Sequence, residues 1–103
     1  MGKTQSDLQT FLQEYVGPDI KVYFQAPPSV KMKYPCVKYS YNRKDNINAD
    51  NIKYLKQNSY TLTVIDYDPD SELSEKIGQL PMCSWDRFYT ADNLNHFVYT
   101  LYF

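Results

Sequence analysis

Leu8, Phe11, Leu12, Tyr15 and Val16 recur at the i, i+3, i+4, i+7, i+8 spacing that lays one apolar stripe along an α-helix. Thr4, with Asp7 three positions on, suits its N-terminus, and Gly17-Pro18 its end. Three helical turns are marginal alone, so the stripe needs a partner surface. Beyond it the period shortens to two. Residues 20–25 alternate weakly and stop at Ala26-Pro27-Pro28, where the prolines exclude both a helix interior and a central strand. Residues 36–41 place Val37, Tyr39 and Tyr41 on one face and Lys38 and Ser40 on the other, the pattern of a half-buried strand. Residues 60–67 send Leu62 and Val64 one way and Thr61, Thr63 and Ile65 the other, so both faces are partly apolar and the strand belongs at the centre of a sheet. Asp68-Pro69-Asp70 is expected to open a second helix, with proline in its first turn and acidic side chains at its positive end. Leu73, Ile77 and Leu80 give that helix a narrow stripe and Pro81 stops it. Residues 83–89 and 97–103 read as strands separated by the turn-rich Thr90-Ala91-Asp92-Asn93. The order α-β-β-β-α-β-β predicts one α+β domain over residues 1–103, with both helices packed on a largely antiparallel sheet.

Between the second and third strands the pattern lapses. Residues 43–57 are rich in Asn, Asp and Lys, interrupted by Ile47, Ile52, Tyr54 and Leu55. They are too many for a tight hairpin, and long loops in small domains tend to be functional or disordered.

Composition narrows the function classes. The chain has 103 residues, 11 Lys+Arg against 12 Asp+Glu, and a formal net charge of −1. A dedicated nucleic-acid binder draws its affinity from excess positive charge, which is missing here. Two cysteines, Cys36 and Cys83, are too few for a disulfide scaffold and have no metal-ligand spacing, so buried free thiols are expected. No apolar run approaches the ~20 residues of a membrane span, and no secretory signal is expected. The 11 tyrosines are the anomaly, and most fall in or beside predicted strands. Large amphipathic rings either fill a small core with their hydroxyls at its rim or face outward as a protein interface.

The motifs that suggest catalysis or ligand binding are incomplete. Asp66, Asp68 and Asp70 open like a calcium loop, but Ser71 stands where that loop needs glycine and Ile77 where it needs a bidentate glutamate. A strand end and helix cap are the better reading. Gly2-Lys3-Thr4 matches the end of a phosphate-binding loop without its upstream glycine and feeding strand. Met1-Gly2 with Ser6 fits the loose myristoylation pattern, which is common by chance. His96 is the single histidine and has no nucleophile elbow to serve. A small enzyme built on His96 and the three aspartates, and a nucleic-acid-binding module, are the competing classes.

Three stretches, taken together, carry a resemblance. They are Tyr34-Pro35-Cys36-Val37-Lys38-Tyr39; Tyr60-Thr61-Leu62-Thr63-Val64-Ile65-Asp66 running into Asp68-Pro69-Asp70-Ser71; and Phe88-Tyr89-Thr90-Ala91-Asp92-Asn93-Leu94-Asn95-His96 with Tyr102-Phe103. In this order, after one N-terminal helix, the chain resembles the small tail-completion, or tail-terminator, proteins of long-tailed bacteriophages. The resemblance implies a non-enzymatic α+β subunit of the virion, without cofactors or metal, assembled in the bacterial cytoplasm. It implies a homohexameric ring on the head-proximal end of the tail tube, which stops tube polymerisation and meets the head–tail connector. Its partners would be further copies of itself, the tail tube protein and the connector, with no membrane and no specific nucleic acid. Another phage neck, head–tail joining or minor capsid protein is the alternative. On this reading the polar segment becomes an arm that orders on docking. Ile47, Ile52 and Tyr54 would be its apolar anchors, and Arg43, Lys44, Lys53 and Lys56 its charges.

Overall fold

The computed structural model describes residues 4–27, 31–42 and 59–103. The proposed arm residues Arg43, Lys44, Ile47, Ile52, Lys53, Tyr54 and Lys56 lie outside the described residues. The element order is α1 (Gln5–Val16), β1 (Lys21–Phe24), β2 (Cys36–Tyr41), β3 (Ser59–Asp66), α2 (Glu72–Gly78), β4 (Cys83–Ala91) and β5 (Leu94–Tyr102), an α+β fold in the order expected. The five strands form one sheet, β1-β2-β3-β5-β4. All neighbours are antiparallel except β1 and β2, which run parallel.

α1 begins where local chemistry starts it. The Thr4 side chain accepts a hydrogen bond from the Asp7 N–H at 3.2 Å, and the Asp7 carboxylate accepts one from the Thr4 N–H at 3.0 Å, satisfying two N-terminal donors reciprocally. The helix ends at Gly17, whose φ of +93° suits a residue without Cβ, and whose N–H bonds to the Gln13 carbonyl. Leu8, Leu12 and Val16 are buried against the sheet, flanked by partly buried Phe11 and Tyr15. Glutamines on the same helix fasten it further. Gln9 and Gln13 donate to the Val22 and Ile20 carbonyls, and Gln5 and Gln9 both bond the Tyr39 hydroxyl.

The helix-side face of the sheet is filled by rows that cross it. Val22, Val37, Val64 and Phe97 form one row, and Phe24, Tyr39, Leu62 and Tyr99 the next. β3 is central, as its two-sided apolar pattern demanded. On the opposite face Cys36, Ile65 and Leu94 form a smaller cluster, covered by Tyr23, Met32 and Tyr34.

α2 starts later than expected. Asp68-Pro69-Asp70 does not open the helix, because successive aspartates bend the chain first. The Asp66 carboxylate accepts from the Asp68 N–H and the Asp68 carboxylate from the Asp70 N–H, each two residues on. Ser71, held by a 2.7 Å bond to Asp66, then caps the helix through the Ser74 N–H. Leu80 is buried but lies past the helix, which ends at Gly78. The last hairpin is also tighter than expected. Asp92 and Asn93 take φ of 55° and 64°, the two positive values of a two-residue hairpin turn, so β4 and β5 continue through Thr90 and Asn95.

Candidate assembly surface

β4 forms one edge of the sheet, and residues 84–90 along it are exposed. Trp85 is 57% exposed, Phe88 45% and Tyr89 40%, so three of the exposed large apolar side chains share one nine-residue strand. Trp85 and Phe88 lie on the helix side, where each touches an aromatic of β5: Trp85 edge-on to Tyr99 at 5.5 Å and Phe88 tilted against Phe97 at 5.1 Å. The inner rings thus pack directly against the outer ones.

The strand is not regular. Trp85 pairs with Tyr99 and Arg87 with Val98, so Asp86 is an extra residue, a β-bulge. Adjacent residues of a regular strand point to opposite faces. Arg87, paired with Val98 and lining one surface with Lys38 and Thr63, lies on the helix-free side, and its guanidinium meets the carboxylate of the bulged Asp86 at 2.9 Å, so the two share that side. Arg87 and Tyr89 border a shallow concavity of about 290 Å³ on that side, floored by Thr63 and Val98 and closed opposite by Lys38.

His96 lies under this rim. It is buried, its ring stacked on Tyr89 at 4.6 Å and 14°, with Nδ1 3.3 Å from the Leu94 carbonyl. Burial pushes its pKa below the ordinary histidine value, against the opposing pull of the Leu94 carbonyl. Asp66 and Asp68 spend carboxylate oxygens on the local turns, Asp70 contributes its N–H to them, and among the described residues no group of three or more His, Cys, Asp or Glu is placed to hold a metal. Cys36 and Cys83 are free thiols, both pushed up to about 11 by burial, so neither is ionised near neutrality.

The described tyrosines differ in burial. Tyr39, Tyr60 and Tyr99 are core, while Tyr41, Tyr67, Tyr89 and Tyr102 are exposed. Sequence reasoning does not single out Trp85 and Phe88. The signal is present in Ser84-Trp85-Asp86-Arg87-Phe88-Tyr89, where alternation breaks at the charged doublet and resumes after it. No family model, curated protein or solved structure matches this chain.

Proposed function

We propose that this protein is a tail-terminator subunit of a long-tailed bacteriophage, which closes into a ring of six on the head-proximal end of the tail tube and joins it to the head connector. The observation that carries the reading is the β4 edge, an exposed aromatic strip on a helix-backed sheet. Contiguous exposed apolar surface of this kind marks protein contact, and aromatic side chains dominate the energy of such contacts. The sequence resemblance supplies the partners: neighbouring copies, the tube protein and the connector. The work of the subunit is then mechanical, requiring shape and adhesion rather than a reacting group.

Polymerising tail tube protein in the presence of the purified chain tests this. Rings at one end of tubes, and tubes that stop growing, are expected by electron microscopy. Phe88→Glu keeps the fold, since the side chain is half exposed, and is expected to abolish capping. Tubes that elongate identically with and without the parent chain refute the proposal.

A further inference from the structure

We propose that the free subunit is stored as a two-fold dimer in which β4 pairs antiparallel with β4 of a second copy, Trp85 facing Phe88 of that copy and Asp86 facing its Arg87. The inference rests on reading β4 as the assembly surface and names what covers it before assembly.

The phase of the hydrogen-bond ladder sets the register. The Tyr102 N–H bonds the Met82 carbonyl at 3.1 Å, so residues 82 and 102 are a hydrogen-bonded pair. In an antiparallel ladder such pairs alternate with pairs whose main-chain groups point away from each other. Carried along the β4–β5 register, Cys83 and Trp85 therefore direct their N–H and C=O groups outward. Beyond the extra residue the outward positions become Phe88 and Thr90. The free main-chain groups thus fall at 83, 85, 88 and 90, with intervals of two, three and two.

That sequence of intervals reads the same in both directions. A regular strand, whose groups repeat every second residue, matches either half of β4 but not both. The bulge therefore protects the edge against indiscriminate strand addition. An antiparallel copy of β4 presents the same intervals reversed and matches throughout. In this register Cys83 faces Thr90, Trp85 faces Phe88, and the bulges lie opposite each other at the two-fold axis.

The side chains agree with the main chain. Trp85 and Phe88 share the helix side, so the tryptophan–phenylalanine contact between copies occurs twice, once on each side of the axis. Asp86 and Arg87 share the other side, so two interchain ion pairs form across the axis. An isologous contact closes on two copies, so a polar ring of six must exchange it for other contacts as it assembles.

Sedimentation of the full chain over a concentration series tests the pairing, with the fluorescence of Trp85, the single tryptophan, recorded at each step. A monomer–dimer equilibrium is expected, with emission shifting to the blue as dimer forms. Asp86→Arg and Arg87→Asp each set like charges across the axis and should raise the dimer Kd about tenfold. In an equimolar mixture of the two variants, a doublet of two positive charges meets a doublet of two negative ones. Both contacts across the axis then become attractive again, and parent-like association should return. Phe88→Glu leaves the charged doublet intact and should also dissociate the dimer. A parent chain that stays monomeric overturns the proposal, as does a dimer whose Trp85 emission never moves or whose affinity is unchanged in these variants. A chain that caps tubes without dimerising overturns the pairing alone, and one that dimerises without capping overturns the tail-terminator reading alone.

Discussion

Removing one hydroxyl from the core should loosen the second helix by a calculable amount. The Tyr99 hydroxyl lies 2.7 Å from the Ser74 hydroxyl and donates to the Ser74 carbonyl at 3.0 Å, joining α2 to β5 across the buried interface. Tyr99→Phe deletes the oxygen and keeps the ring, so packing against Leu62 and Trp85 survives while buried Ser74 loses its side-chain partner. A lost partner for a buried polar group costs about 1–2 kcal/mol, and at this chain length each kcal/mol lowers the Tm by roughly 4–8 °C. Ser74→Ala alone should cost less, because the Tyr99 hydroxyl keeps the carbonyl. The double variant removes both members, so its loss should fall short of the sum by about 1 kcal/mol. Urea denaturation with unchanged slope measures all three. Gly78 supplies a further check, since a Cβ there would sit 3.3 Å from the Tyr99 hydroxyl oxygen. Gly78→Ala should therefore be more favourable in the Tyr99→Phe background than in the parent, where the helix-propensity gain of about 1 kcal/mol is opposed by that contact. A Tyr99→Phe variant within about 0.3 kcal/mol of the parent, or strict additivity with Ser74→Ala, refutes the reasoning.

Leu12 is fully buried, so Leu12→Ala should cost about 2–5 kcal/mol in chemical denaturation, while exposed Glu14→Ala should stay within about 0.5 kcal/mol. Thr4→Ala removes the hydroxyl that accepts from the Asp7 N–H, leaving the Asp7 carboxylate on the residue-4 N–H, and should cost about 1 kcal/mol, read as a lower urea midpoint. Because burial lowers the folded-state pKa of His96, the unfolded chain takes up the proton first as pH falls through about 6.5. The contribution of His96 is therefore complete above about pH 6.5 and declines below it towards the lowered folded-state value. Nuclear magnetic resonance of its ring protons should give a midpoint below about 6.5, and His96→Gln should flatten the stability profile across that window.

The elements that were legible in the sequence are those whose residues respond to one dominant force. α1 follows from the stripe of Leu8, Leu12 and Val16 and from Thr4, and β3 follows from apolar residues on both of its faces. The boundaries that moved were set by main-chain details that hydrophobic patterning does not encode. Asp92 and Asn93 adopt positive φ and lengthen the last hairpin by pairing Thr90 with Asn95. Asp66 and Asp68 bend the chain before Ser71 and shift the start of α2. The parallel pairing of β1 with β2 depends on the route of the connection between them, where Met32 and Tyr34 cover the helix-free face. The β4 surface was hidden for another reason. Trp85 and Phe88 occupy core-facing positions of the strand, and their exposure follows from β4 being the outermost strand, a fact of topology rather than of composition.

Strand order also fixes a timetable during synthesis. β3 pairs with β2 on one side, but its other neighbour is β5, which the ribosome makes after α2 and β4. At roughly 5–20 residues per second, the stretch from Asp66 to Tyr102 takes about 2–7 s to translate. Throughout that interval Leu62, Val64 and Ile65 belong to a strand with one open side. Nascent chains on neighbouring ribosomes of one message meet in this state, before the bulged edge of β4 has been made. Slower translation at unchanged temperature should thus lengthen the exposure and lower the soluble yield, a dependence on elongation rate rather than on the stability of the finished molecule.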